Sequence, residues 1–322
     1  MMANEETAMM KGIDISHWQK YLNIAEIKYD FVLLKNMNYE YKQIPVGDLG
    51  KIPVYIFTPI NHVDVCVIYC HGNSGDLGIC LAENYEITKM TNCVIVTFEY
   101  PGYTYVENIK AEEEIVYIFS QQVYMFVRDE LKYPPSKIVL YGFSMGTGVA
   151  FDLACRANFP VAGLIIQAPI LSLVRTIYDV KRTFFFDYFN SCDKAKFIHC
   201  LTLFIHGNKD RIVPYIHGRI LSKLIPEKYR YDFITINGAD HNDAFKFVKE
   251  EIFEKVRGFI KVVTGVNPDP PSLPGNGSMK FNEFRNIINS LRQCGDKKKF
   301  KFSEKPYKLK RERNEIRSEE GE

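Results

Sequence analysis

Ser144 stands between two glycines in "VLYGFSMGTG", Val139–Gly148, where the apolar run "KIVLY" stops. A serine hydroxyl is a weak nucleophile until a neighbouring imidazole takes its proton. On a sharp turn between a strand and a helix its Oγ would stand clear of the sheet edge. Such a turn is crowded and tolerates only small neighbours, which Gly142 and Gly146 supply. Alone, a glycine-flanked serine also fits an ordinary turn, so the reading depends on the residues that close the other apolar runs.

"VCVIYC" is followed by His71-Gly72-Asn73-Ser74-Gly75, "LTLFI" by His206-Gly207-Asn208-Lys209-Asp210, and "YDFITI" by Asn237-Gly238-Ala239-Asp240-His241. A Ser, an Asp and a His thus close three separate runs in the chain order Ser…Asp…His, the order of an α/β-hydrolase triad. In that reading Ser144 is the nucleophile, His241 the base and Asp210 the acid that orients it. Asp240 adjoins His241 and cannot easily reach round to it; Asp243 and Asp193 remain alternatives for the acid. The backbone amides of Met145, at a helix N-terminus, and of Asn73, in the "HGNSG" loop, would form the oxyanion hole. His71 and His206 read as structural. A Ser at 144 favours esters, thioesters or amides; relatives with an Asp or Cys nucleophile are excluded. No metal-ligand cluster is present, and no cofactor is expected.

The elements that would hold these residues alternate. Strand-like runs at Val54–Ile60, Asp64–Cys70, Cys93–Glu99, Lys137–Gly142, Val161–Ala168, Leu201–Gly207 and Tyr231–Gly238 are separated by helical patterns. The helices fall near Leu77–Met90, Lys110–Leu131, Gly146–Ala157, Ile216–Leu224 and Asp243–Val263. Several strands are apolar on both faces, so the fold class is α/β: a mostly parallel central sheet with helices on both faces. "YEYKQIPVGDLGKIPVYIFTPI" reads as a hairpin turning at Gly47–Gly50, adding an antiparallel edge. The hydrolase domain is expected over 31–265, after an extension at 1–30. A Pro/Gly linker follows at 266–278, then a short helix and a basic, disordered tail at 279–322. The short lid of this fold, about 170–199, carries "TFFFDYF". Phe184, Phe185, Phe186 and Phe189 there, with Tyr103 in "YPGYTYV", would line an acyl pocket; ordinary core packing is the competing reading.

Composition sets bounds on partners. The chain of 322 residues has 41 basic and 39 acidic residues, so no global field points to nucleic acid. The tail from Asp296 carries ten Lys/Arg against seven Asp/Glu, and "KKKFKFSEKPYKLKRER" could touch an anionic membrane. Eight cysteines without disulfide-like spacing favour a reducing compartment. There is no signal-peptide pattern and no apolar span of membrane length, so a cytoplasmic protein is expected, with peripheral contact on a membrane's cytoplasmic face.

The motifs "YCHGNSGDLG", "EYPGYT", "VLYGFSMGTGVAFDLA", "KRTFFFDYFNSCDKAKFI", "LFIHGNKDRIVPYIHG" and "GADHND" resemble those of the α/β-hydrolase-domain-containing protein 17 family and its Bem46-like relatives. The likeness runs from about Ile52 to Ile260. It implies a serine hydrolase that removes S-palmitoyl groups from membrane-associated proteins, acting through Ser144, Asp210 and His241. One departure is expected to matter. The palmitoyl-thioesterase type begins with a cysteine-rich, palmitoylated segment, whereas the first cysteine here is Cys66. A lysophospholipid or other lipid ester is the alternative substrate, and a non-catalytic membrane-associated interaction protein is the alternative class.

Overall fold

A computed structural model describes residues 37–103, 106, 109–177 and 187–268. The expected extension at 1–30, nearly all of the linker, the helix near 281–292, the basic tail and Phe184–Phe186 lie outside the described residues.

Among the described residues one sheet of eight strands runs in the order β1-β2-β4-β3-β5-β6-β7-β8. The strands are β1 (Met37–Pro45), β2 (Lys51–Pro59), β3 (Cys66–Cys70), β4 (Val94–Phe98), β5 (Ile138–Phe143), β6 (Gly163–Gln167), β7 (Leu201–Gly207) and β8 (Arg230–Ile236). β1 and β2 form the antiparallel hairpin, closed by a 3₁₀ turn at Gly47–Leu49, and β2 lies antiparallel on β4. The remaining strands are parallel. A parallel pair needs a crossover, and helices supply it. These are α1 (Leu77–Thr91), α2 (Glu113–Asp129), α3 (Met145–Ala154), α4 (Leu173–Ile177), α5 (Ser191–Ala195), α6 (Tyr215–Leu224) and α7 (Ala244–Thr264).

Every residue of β3, β4 and β6 is buried, as strands covered on both faces must be. Alternation along β5 divides the core into two layers. Ile138 and Leu140 join the layer of Phe119, Val123, Phe126, Val149 and Phe151 from α2 and α3. Val139 and Tyr141 join that of Leu77, Ile87, Phe253, Val256 and Phe259 from α1 and α7. The two layers cover both faces of the sheet, and the loops at the carboxyl ends of the parallel strands gather along one edge of it, where ligands bind in such sheets. α7 stops where Gly265 takes the left-handed conformation (φ 70°), a common helix ending. No helix among the described residues is long and apolar enough to cross a membrane.

Candidate active site

Ser144 occupies the junction of β5 and α3 with φ 53° and ψ −122°. That region is strained for a residue bearing a Cβ and costs about 1–3 kcal/mol. The surroundings enforce it. Ser144 N donates to Gln167 O at 3.0 Å, and Thr147 N and Oγ1 donate to Ser144 O at 2.9 and 2.6 Å. A Cβ on Gly146 would meet Cys70 O at 2.1 Å, and one on Gly142 would meet Thr147 Cα at 2.7 Å. Only glycine lets α3 pack this closely against β3 and β5. All ten residues of α3 are buried, so the helix fixes the elbow from behind.

The Asp210 loop is tied to the His241 loop by short backbone contacts. Lys209 N donates to Ala239 O at 3.0 Å, Asn208 N to Ile236 O at 3.1 Å, and Gly238 N to Asn208 Oδ1 at 2.8 Å. Asp240 also ties the two loops, accepting from Arg211 N at 2.9 Å and Arg211 Nε at 2.6 Å. Asp210 Oδ1 accepts from the amides of Ile212 (2.9 Å) and Val213 (2.7 Å). Its Oδ2 faces His241 Nδ1 at 2.8 Å, and His241 Nε2 lies 3.0 Å from Ser144 Oγ. Burial works against the charge on Asp210, but hydrogen bonds from His206, His241 and the Val213 amide hold its carboxyl well below the usual range. An ionised Asp210 only accepts, so His241 Nδ1 carries the proton. Nε2 is then the bare nitrogen that receives the Ser144 hydroxyl. The Phe143 ring lies 5.1 Å from the imidazole and closes one side of it.

The alternative acids lie elsewhere. Asp240 pairs with Arg211, Asp243 Oδ1 accepts from Asp240 N at 2.6 Å, and Asp193 is bonded to Asn190 at the start of α5. The structure thus brings together Ser144, Asp210 and His241 of the expected set. Gly72 abuts the serine: a Cβ there would stand 3.3 Å from Ser144 Cβ and 3.2 Å from Phe143 Cδ1. Asn73 is next in the same loop, half-buried, and Met145 opens α3 beside the serine.

Of the expected pocket aromatics, Phe189 is 7% exposed, with its ring against Tyr117 (5.9 Å) in the layer of α2 and α3. A Cβ on Gly148 would meet Phe189 Cβ at 2.6 Å. These contacts are those of core packing, the competing reading. Tyr103 is half-buried, and its hydroxyl donates to Asn73 Oδ1 (2.6 Å) and Asn73 O (3.1 Å). It therefore holds the loop beside the serine.

Three further residues support the site: His206, read from the sequence as structural, and Glu99 and Tyr100, whose supporting roles the sequence reading did not assign. His206, fully buried at the end of β7, places Nε2 3.3 Å from Asp210 Oδ2 and 3.1 Å from Val213 O. Both partners accept, so His206 Nε2 donates to both and steadies the acid loop. Its four-residue spacing from Asp210 was the available signal. Glu99 and Tyr100 lie beneath the 71–75 loop. Glu99 Oε1 is 3.3 Å from His71 Nε2, with both side chains fully buried, and Glu99 Oε2 accepts from Leu77 N at 3.1 Å. Burial pushes the Glu99 carboxyl above its usual value. A lone Glu ending the apolar run "CVIVTF" was the hint. The Tyr100 hydroxyl donates to His71 O at 2.9 Å while its ring stacks on His71 at 3.8 Å.

A mostly parallel sheet covered on both faces, with a serine on a strained strand-to-helix turn facing a histidine and an aspartate from later strand ends, is an α/β-hydrolase of the serine type. Residues 54–263 match the family model described as Phospholipase/Carboxylesterase, and the chain belongs to that family. Among curated relatives it is 30% identical over 195 residues to Alpha/beta hydrolase domain-containing protein 17C of Xenopus tropicalis, covering 60% of this chain and 61% of the relative. It is 28% identical over 212 residues to Alpha/beta hydrolase domain-containing protein aho-3 of Caenorhabditis elegans, covering 66% of this chain and 62% of the relative. The match thus spans about three fifths of these relatives' lengths. The resemblance read from the motifs is to the same group. A puromycin-hydrolyzing peptidase of Mycobacterium tuberculosis shares the fold, with a TM-score of 0.61 at 15% identity over 74% of this chain and 41% of that one.

Proposed function

We propose that the protein is a serine hydrolase cleaving acyl esters and thioesters through an acyl-enzyme on Ser144. The observation that carries this reading is the continuous contact from Asp210 Oδ2 to His241 Nδ1 (2.8 Å) and from His241 Nε2 to Ser144 Oγ (3.0 Å) at the strained elbow. Ser144 Oγ attacks the acyl carbonyl carbon while its proton passes to His241 Nε2, and Asp210 stabilises the resulting imidazolium. The carbonyl oxygen gains negative charge within reach of the Met145 and Asn73 amides. Collapse breaks the bond to the alcohol or thiol, which leaves with the proton from His241. Water, deprotonated by His241, then releases the acid and restores Ser144.

The substrate class we favour is the S-palmitoyl thioester of proteins, supported by the motif resemblance and by similarity to the domain-containing protein 17 relatives. The alternative is a lysophospholipid or other lipid carboxylester, favoured by the family description. Contact of the basic segment 297–313 with an anionic membrane would bring either substrate close.

A fluorophosphonate probe should label wild-type protein at Ser144 and leave Ser144→Ala unlabelled. Competition by palmitoyl-peptide thioesters stronger than by short esters or lysolipid supports the favoured class. Stronger competition by lysolipid moves the assignment to lipids. An unlabelled, folded wild-type protein would overturn the hydrolase reading in favour of an interaction protein.

A further inference from the structure

We propose that Tyr103 is a positioning residue for the oxyanion hole, its hydroxyl fixing Asn73 so that the Asn73 amide faces the developing negative charge. The proposal rests on the hydrolase reading above and deepens it.

The Tyr103 hydroxyl reaches both ends of Asn73, the side-chain Oδ1 at 2.6 Å and the backbone O at 3.1 Å. The contact to the carbonyl holds the peptide that follows Asn73, and the contact to Oδ1 holds its side chain. The Cα between them, bonded to the Asn73 N–H of the preceding peptide, is thus restrained from two sides. Tyr103 itself is fixed by a turn. Tyr103 N donates to Tyr100 O at 3.1 Å, Val106 N to Tyr103 O at 2.8 Å, and Gly102 N to Val106 O at 3.0 Å. Gly102 has φ 82°, and a Cβ there would strike Ala111 Cβ at 2.7 Å, so the turn requires glycine.

Two edge-on contacts hold the ring, with Tyr100 (5.8 Å, 88°) and His71 (5.6 Å, 72°). Both neighbours are anchored below, Tyr100 through its hydroxyl to His71 O and His71 by its Glu99 contact. The chain of support runs from Glu99 through His71, Tyr100 and Tyr103 to Asn73. Burial, with nearby Glu99, Asp76 and Cys80, raises the Tyr103 phenol well above its usual value. Its hydroxyl therefore remains a donor across the working pH range. A preorganised donor acts on the transition state and not on the ground state, because the oxyanion exists only there.

Tyr103→Phe keeps the ring contacts and removes only the hydroxyl. Loss of a whole oxyanion donor costs about 10²–10³ in kcat, so a loosened one should cost about tenfold. We expect kcat on an acyl thioester to fall by that factor, with KM and the melting temperature unchanged. Affinity for a trifluoromethyl ketone, which binds as an oxyanion, should fall in parallel with kcat. The Asn73→Ala loss should add little to the Tyr103→Phe loss, since the two variants break a shared contact. Unchanged kcat in Tyr103→Phe, a loss confined to KM, or fully additive losses overturn the proposal. Fluorophosphonate labelling of wild-type Ser144 separates the two levels. If labelling occurs and Tyr103→Phe turns over normally, only the positioning role fails; if the wild type is not labelled, the hydrolase reading fails first.

Discussion

His206 and His241 share one oxygen atom: Asp210 Oδ2 lies 2.8 Å from His241 Nδ1 and 3.3 Å from His206 Nε2. The carboxylate is held from two sides by imidazoles while its other oxygen takes two backbone amides. His206→Phe keeps an aromatic of similar size and removes the donor. A hydrogen bond to a charged group is worth about 1.5–3 kcal/mol. If half of that is felt at the transition state, kcat falls about fivefold. Steady-state kinetics with the same substrate check this, and kcat equal to wild type would show that the loop amides alone suffice.

The candidate triad was legible because each member ends an apolar run, and an α/β sheet turns such run ends into neighbours. Helices were legible from their helical patterns and strands as short apolar runs, several of them apolar on both faces. The run Leu201–Gly207 coincides with β7, and the helical pattern from Ile216 starts within one residue of α6. What periodicity does not carry is which non-adjacent segments meet. That β2 lies on β4 and not on β3 depends on a register set across forty residues. The roles of Glu99 and Tyr100 depend on the 71–75 loop folding back over them. Phe189 shows the composition problem directly: an aromatic that fills a core and one that lines a cavity look alike until its neighbours, here Tyr117 and Gly148, are known.

Asp210→Asn keeps the size of the side chain but lets an amide face Nδ1. His241 is then steered to the tautomer with its proton on Nε2, and kcat should fall about 10³–10⁴-fold. The stability effect has a definite sign. The folded-state pKa of Asp210 is depressed, so its stabilising contribution is fully present above the ordinary Asp value of about 4. It is lost as pH falls from there toward the folded value. Denaturant titrations should show a constant gap between wild type and Asp210→Asn above that pH and a narrowing gap below it. A gap that widens on acidification contradicts the depressed pKa.

Gly146→Ala tests whether the elbow is sterically required. The new methyl would sit 2.1 Å from Cys70 O and 2.5 Å from His71 O, both backbone atoms of a buried strand end that cannot swing aside. The chain must displace α3 or β3, and overpacking of this kind costs about 1–3 kcal/mol or more. Even if the variant folds, displacement of Ser144 by a fraction of an ångström should remove fluorophosphonate labelling. A folded, fully labelled Gly146→Ala protein would show that the junction has slack.

Lys194 on α5 reaches three groups on two other helices. Its Nζ lies 3.1 Å from Asp152 Oδ1 on α3, 2.6 Å from the Tyr117 hydroxyl on α2 and 4.0 Å from Glu113 Oε1. The Tyr117 hydroxyl donates to Glu113, whose Oε1 also accepts from Phe189 N at 2.8 Å. Lys194 thereby fastens the returning half of the 170–199 connection to α3, the helix that follows Ser144. Lys194→Met keeps the stem and removes the charge, leaving Asp152, 3% exposed, paired with Arg156 among the described residues. Because that partner survives, the expected loss is about 1–3 kcal/mol, below that of a stranded buried charge. Asp152→Asn combined with Lys194→Met should cost less than the two losses added, since the pair interacts directly. Chemical denaturation of the four proteins measures that coupling, and strictly additive losses would mean that Lys194 holds α5 through Tyr117 and Glu113 alone.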